Sequence, residues 1–296
     1  MNILTVERLS KNYGSIKALD EVSFQVEKGK VFGILGPNGS GKTTMLGIIM
    51  DVLKPTSGAY MLFDQEPTEI QRQQIGTLLE TPNFYHYLNA EDNLKIAAAI
   101  KKKGDDDIEK VLKITGLYER KNFAFSSYSL GMKQRLAVAS ALLGDPEVLI
   151  FDEPTNGLDP AGIADVRQLI IKLASAGKTI IMASHMLDEV EKVCTDVAIL
   201  KYGKLITYGP VHEILVSDDL VEIAADQMET LLQHAIAFQG CKQVEQLDQK
   251  LLQLTFQNGQ ADATFINRYF FEKGIVLSHL VIKKQSLESK FLELTN

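Results

Sequence analysis

Tryptophan is absent from this 296-residue chain, and cysteine occurs only twice, as Cys194 and Cys241. Two thiols so far apart have no metal-ligand spacing, and a disulfide framework needs more of them, so two reduced cysteines are expected. No uninterrupted apolar stretch approaches the ~20 residues of a membrane helix, and the N-terminal residues hold no apolar run of signal-peptide length. The expectation is a soluble chain in the cytoplasm, whose membrane role, if any, comes through a partner. Basic residues are the minority, 31 against 38 acidic, for a formal charge of −7. That balance argues against nucleic acid as a partner, because phosphate contacts need clustered Lys and Arg.

What the sequence does contain is an ordinary globular share of apolar residues, 45%, in a length that suits one large domain and a smaller one. Near the N-terminus Ile3, Thr5 and Glu7 alternate with Leu4 and Val6, and Val22, Phe24 and Val26 mark a second alternating strand. The continuous apolar run Val31 to Leu35 reads as a strand buried on both faces. A glycine-rich loop and a helix carrying Met45, Leu46, Ile48 and Ile49 follow it, and the helix stops at Lys54-Pro55-Thr56-Ser57-Gly58.

From about Ala90 to Leu143 the pattern is helical, with Leu94, Ile96 and Ala97, then Ile108, Val111 and Leu112. The charge-rich segment Lys101 to Asp107 between them reads as a solvated linker. Strands return at 148–151, 179–182 and 197–200, each preceded by a helix, which implies a parallel-sheet α/β core with a helical insertion. Past Ser217 the order becomes β-α-β-β-α-β, the ferredoxin-like arrangement, ending in a helix capped by Ser286 with Leu287, Phe291 and Leu294 inward. The expected domains are therefore residues 1–216, with a helical subdomain at about 85–143, and a small α+β domain at 217–296.

The most specific feature is Gly36-Pro37-Asn38-Gly39-Ser40-Gly41-Lys42-Thr43-Thr44. It fits the phosphate-binding P-loop pattern and lies where that motif must lie, between a buried strand and a helix. Glycines let the backbone wrap a phosphate with its N–H groups inward, and the helix N-terminus adds positive potential there. Lys42 supplies a point charge for the β- and γ-phosphates, and the Thr43 hydroxyl a ligand for Mg²⁺. A second apolar strand, Val148 to Phe151, ends in two carboxylates. Asp152 is placed for the metal, and Glu153 to activate or position an attacking water.

Further segments carry a family resemblance. Tyr128-Ser129-Leu130-Gly131-Met132-Lys133-Gln134-Arg135 resembles the signature segment of ABC (ATP-binding cassette) ATPases; Asn156-Gly157-Leu158-Asp159 resembles their D-loop, and His185 their switch histidine. With the P-loop and Asp152-Glu153 these motifs stand in family order over roughly residues 3 to 215. The resemblance implies a P-loop NTPase fold, ATP and Mg²⁺ as cofactors, and ATP hydrolysis. It implies that Tyr13 stacks on adenine and that His185 hydrogen-bonds the γ-phosphate. It also implies that Ser129 and Gly131 cover the phosphate held by the P-loop of a second copy. One P-loop per chain then makes a dimer necessary.

Two segments depart from the family pattern, the signature at 128–132 and the residue at 80. The signature is usually Leu-Ser-Gly-Gly-Gln, whereas Leu130 and Met132 replace the first Gly and the Gln here. Glu80, in Leu78-Leu79-Glu80-Thr81-Pro82, stands where a metal- or water-binding glutamine is usual, and keeps the oxygens but loses the amide donor. Both departures, with Thr81 to Tyr85, resemble bacterial ATPases that export drugs, bacitracin or lantibiotics. The leading expectation is thus the ATPase subunit of an exporter, peripheral on the inner face of the membrane and bound to a separate membrane-spanning permease. An importer subunit is the nearer alternative. A soluble ABC ATPase acting on DNA or ribosomes would call for a basic surface, a coiled coil or zinc cysteines, and the sequence has none of these signatures.

Overall fold

The computed structural model describes residues 1–79, 83–215, 218–283 and 286–295, the last three as backbone. It divides into two compact units, Met1–Val211 and His212–Leu294.

The first unit opens with a hairpin of β1 (Asn2–Tyr13) and β2 (Ile16–Glu27), followed by β3 (Val31–Leu35), α1 (Lys42–Ile49), β4 (Ser57–Leu62), the short α2 (Glu69–Arg72) and β5 (Ile75–Leu78). Helices α3 (Ala90–Lys101), α4 (Ile108–Ile114) and α5 (Leu130–Leu142) form the insertion. Then come β6 (Val148–Asp152), α6 (Pro160–Ser175), β7 (Thr179–Ser184), α7 (Leu187–Val193), β8 (Asp196–Lys201) and β9 (Lys204–Pro210), after which the chain passes through the short α8 (Val211–Ile214) into the second unit. The main sheet has the order β5-β6-β7-β3-β8-β9; its first five strands run parallel, and β9 closes the edge antiparallel. Strands β2, β1 and β4 form a second, antiparallel sheet. Met45, Leu46, Ile48 and Ile49 of α1 share one core with residues of both sheets, where Phe24 and Phe32 stack at 5.2 Å.

The burial of β1 differs from simple alternation. Ile3, Leu4, Thr5 and Val6 are all buried, because β1 is the middle strand of its sheet and is covered on both faces there. The segment Lys101 to Asp107 also differs from a solvated linker. Lys101 is half-buried and its Nζ donates to the Ser140 carbonyl at 2.5 Å, while Asp107 accepts from the Gly144 N–H at 3.0 Å. A Cβ at Gly104, whose φ is +84°, would lie 2.5 Å from the Gly144 nitrogen. Charge composition reports solvent only on average; here the charges cap and tie the end of α5.

The second unit contains β10 (Asp219–Ala224), α9 (Met228–Ile236), β11 (Cys241–Gln246), β12 (Leu252–Phe256), α10 (Ala263–Glu272), β13 (His279–Lys283) and α11 (Leu287–Thr295). Its antiparallel sheet has the order β11-β12-β10-β13, the ferredoxin-like topology. Val221, Ile223, Leu252 and Leu254 pack against Leu231, Ile266 and Phe270 of the helices. The last strand starts later than the apolar run from Ile275 suggests. Gly274 and Ile275 donate to the Phe271 and Phe270 carbonyls at 2.9 Å each, a Schellman cap that ends α10. Ser286 caps α11 by accepting from the Ser289 N–H at 3.2 Å, with Leu287 buried and Phe291 half-buried. The Leu294 side chain lies outside what is described.

Among the described residues no helix is long and apolar enough to cross a membrane. Both cysteines are free, and burial pushes the Cys194 thiol well above its ordinary range.

Burial, with a smaller contribution from Lys103, lowers the Lys101 ammonium to about 8. Between pH 8 and 10.5 the unfolded chain then holds more protons at this site than the folded one, so stability rises with pH there. Urea unfolding of wild type against Lys101→Met at pH 7 and pH 10 should show wild type gaining, by about 3 kcal/mol at most.

Candidate functional site

Parallel strands deliver their carboxyl ends to one edge of a sheet, which is where α/β proteins build ligand sites. Leu35 of β3 pairs with Ser184 of β7, and Asp152 of β6 pairs with Ala183 of β7. The next residues along, Gly36, Glu153 and His185, therefore emerge side by side.

The loop after β3 is shaped by the absence of side chains at two positions. A Cβ at Gly36 would stand 2.3 Å from the Leu200 carbonyl oxygen, and one at Gly41, where φ is +105°, 2.4 Å from the Ala18 oxygen. Ser40 is buried and ties the loop down, donating through its N–H to the Pro37 carbonyl at 3.1 Å and accepting from the Gly203 N–H at 3.1 Å. Pro37, Asn38 and Gly39 face solvent. Gly41 is the N-cap of α1 and offers no side chain to cap it, so the first-turn amides remain for an anion. In that first turn Thr43 is exposed and Thr44 half-buried. Lys42 is buried and folds back over the loop, donating to the Gly36 carbonyl at 2.8 Å and the Pro37 carbonyl at 3.3 Å.

Asp152 ends β6 as a buried carboxylate. Glu153 has φ +48°, a left-handed conformation that costs a non-glycine residue roughly 1 kcal/mol or more. Its N–H donates to the Ala183 carbonyl at 3.0 Å, and its own carbonyl accepts from the Asn156 N–H at 3.1 Å, which holds the turn. This turn directs the carboxylate between two partners. Oε1 lies 3.4 Å from Lys42 Nζ, and Oε2 lies 2.9 Å from His185 Nδ1 and accepts from the His185 N–H at 3.4 Å.

Tyr13 closes β1 opposite Ile16, with its ring half in solvent and Lys11 Nζ 5.2 Å from the ring centroid. Ser129 is exposed at the N-cap of α5, its Oγ accepting from the Met132 N–H at 3.3 Å; Gly131 is half-buried in the first turn. Tyr128 beneath them is buried and donates to the Arg120 carbonyl at 2.8 Å. Leu130, which stands at a glycine position of the family signature, is exposed. Asp159 caps α6, accepting from the Gly162 N–H at 2.9 Å, with Pro160 at the first helical position. Glu80 lies outside the described residues.

Near the end of β5 a groove of about 620 Å³ runs between Leu78 and Leu79, the segment Asn83 to Tyr85, and the Ile96, Ala97 and Ile100 face of α3. Asn93 organises its rim, accepting from the Tyr85 N–H at 2.8 Å and donating to the Asn89 carbonyl at 2.9 Å and the Tyr85 carbonyl at 3.1 Å. Sequence reasoning passed over Asn93; the available signal was a polar residue beside Leu94 on the apolar stripe of α3.

Residues 19–156 match the family model described as ABC transporter. The chain is 37% identical to the bacitracin transport ATP-binding protein BcrA of Bacillus licheniformis, over 99% of this chain and 97% of that one. The chain belongs to the ATP-binding proteins of ABC transporters. This ABC ATPase is also 37% identical to the lantibiotic transport ATP-binding protein SrtF of Streptococcus pyogenes, over 69% of this chain and 89% of the other. Among solved structures it is similar to cbiO1 of Clostridium perfringens, described as part of the ABC transporter complex cbiONQ. The TM-score is 0.66 at 32% identity, covering 72% of this chain and 90% of that one. As a member of this family the chain binds ATP and hydrolyses it to power transport.

In this ABC ATPase the P-loop, Asp152-Glu153 and His185 lie at the carboxyl ends of neighbouring strands of one sheet. Gly41→Ala should weaken binding of a fluorescent ATP analogue by about tenfold or more, because the new methyl meets backbone and cannot be relieved by a side-chain rotation. Circular dichroism should remain that of the folded protein; unchanged nucleotide affinity would contradict the close approach of the loop to Ala18.

Proposed function

We propose that the chain is the ATP-hydrolysing subunit of a bacterial ABC exporter, working as a pair of copies on a separate membrane-spanning subunit. The names of its bacitracin and lantibiotic relatives support export. The observation that carries the chemistry is the Glu153 carboxylate set between Lys42 and His185 at the mouth of the P-loop.

In this reading the main-chain amides around Lys42 and the Lys42 ammonium bind the β- and γ-phosphates, within the loop from Gly36 to Thr44. Tyr13 offers its exposed ring to the adenine. Glu153 orients a water and takes its proton as the new O–P bond forms and the bond to the bridging oxygen breaks. His185, kept in place by Glu153, donates to the γ-phosphate. Thr43 and Asp152, with Glu80, would hold Mg²⁺, which neutralises charge on the phosphates. A hydroxyl and carboxylates are the hard oxygen donors that this ion takes, and few of them suffice when phosphates and water complete its shell.

The site is completed by the second copy. Ser129 and Gly131, exposed or half-buried at the start of α5, present amides and the helix dipole to the γ-phosphate of the partner, and Asp159 lies on the same contact. ATP thus closes a dimer and hydrolysis reopens it, and this movement reaches the membrane subunit through a helix seated in the groove beside Tyr85 and Ile100. The ATPase accordingly sits on the cytoplasmic face of the membrane.

Turnover per subunit should fall on dilution into the nanomolar range, and Glu153→Gln should lose about 100-fold or more in kcat while accumulating an ATP-bound dimer on size exclusion. Constant specific activity on dilution would remove the dimer from the mechanism. Wild-type turnover in Glu153→Gln would remove Glu153.

A further inference from the structure

We infer that Arg167 is a positioning residue for hydrolysis, holding His185 against Glu153 through an ion pair with Glu189. The inference rests on the assignment of Glu153 and His185 to the reacting end of the site.

The His185 side chain is 37% exposed, so packing alone does not fix its ring. It lies in the turn between β7 and α7. That turn is shaped locally by Met186, whose N–H donates to Ser184 Oγ at 3.0 Å and whose sulfur accepts from Thr155 Oγ1 at 3.6 Å. Helix α7 has seven residues, and its N-cap, Met186, makes no side-chain capping bond. A helix so short and uncapped takes its orientation from tertiary contacts.

Two such contacts stand out. The first is apolar: Val190 is fully buried, and a Cβ at Gly33 of β3 would come within 2.8 Å of its Cγ1 and 3.1 Å of Cys194 Sγ. This contact sets the height of α7 above the sheet, but dispersion and burial are non-directional and leave rotation about the contact open. The second is directional. Arg167 Nη1 donates to both oxygens of Glu189 at 2.8 Å each. Burial raises the Glu189 carboxyl, but the Lys192 and Arg167 donors outweigh it and hold it below the usual range.

The placement of this pair connects it to catalysis. Glu189 lies in the first turn of α7, four residues beyond His185, and Arg167 lies two turns into α6, the helix that Asp159 caps. The chain from Glu153 through Thr155 to Asp159 leads directly into α6. Arg167 and Glu189 therefore tie the segment bearing Glu153 to the segment bearing His185 from behind the site. Lys192, 3.0 Å from Glu189, belongs to α7 itself, so that its pair with Glu189 does not join α7 to α6.

The test is steady-state and single-turnover ATP hydrolysis by the full chain, with binding of a fluorescent ATP analogue measured in parallel. Arg167→Met should lower kcat about tenfold while KM and analogue affinity stay within about twofold, and Arg167→Lys should recover part of the loss. In a His185→Ala background Arg167→Met should cost nothing further in the single-turnover rate. If the single variant fails to fold because Glu189 is left charged and buried, the Arg167→Met/Glu189→Met double variant removes that charge and should show the same kcat loss. An equal loss with and without His185, or wild-type kcat in a folded variant, would overturn the role of Arg167 alone. Full turnover in His185→Ala would instead overturn the assignment of His185, and this inference with it.

Discussion

A carboxylate between two donors organises this protein. Glu153 can touch Lys42 and His185 together only because its backbone turns through a left-handed conformation at the end of β6. That conformation is unfavourable by itself and is held by the bond from its N–H to the Ala183 carbonyl on the neighbouring strand. The position of the central acid is thus a property of the sheet. Lys42 turns onto the loop carbonyls and onto Glu153.

Close packing sets the rest of the architecture around this point. Gly36 and Gly41 bring the loop against the backbone of Leu200 and Ala18, and Gly33 brings α7 down onto β3. Each of these approaches leaves no room for a methyl group. The same rule acts in the insertion, where a Cβ at Gly76 would lie 2.1 Å from the Ala141 oxygen, so that α5 lies directly over β5. The last turn of α5 is thereby fixed against the edge strand of the sheet.

Much of this was legible in the sequence. Short motifs in which every residue has a chemical reason, such as Gly36 to Thr44 or Asp152-Glu153 after an apolar run, identify their strand, turn and helix without further help. Periodicity located the helices of the insertion and the β-α-β-β-α-β order of the second unit. Where local pattern met long-range packing it was less informative. The alternation in β1 did not reveal a strand covered on both faces, the apolar Ile275 belongs to a helix cap, and the charged Lys101 to Asp107 run is tied to the end of α5.

The sequence by itself determined that the chain binds a nucleoside triphosphate, because phosphate recognition by backbone amides demands glycines at particular spacings, and its place among ABC ATPases was carried by the resemblance of the segments at 128–135, 156–159 and 185. Only the tertiary structure decided which groups meet: that Glu153 bridges Lys42 and His185, that Asn93 holds the groove rim, and that Arg167 reaches Glu189. Those contacts join residues from separate strands and helices, and their existence depends on sheet register and helix orientation, which no local pattern encodes.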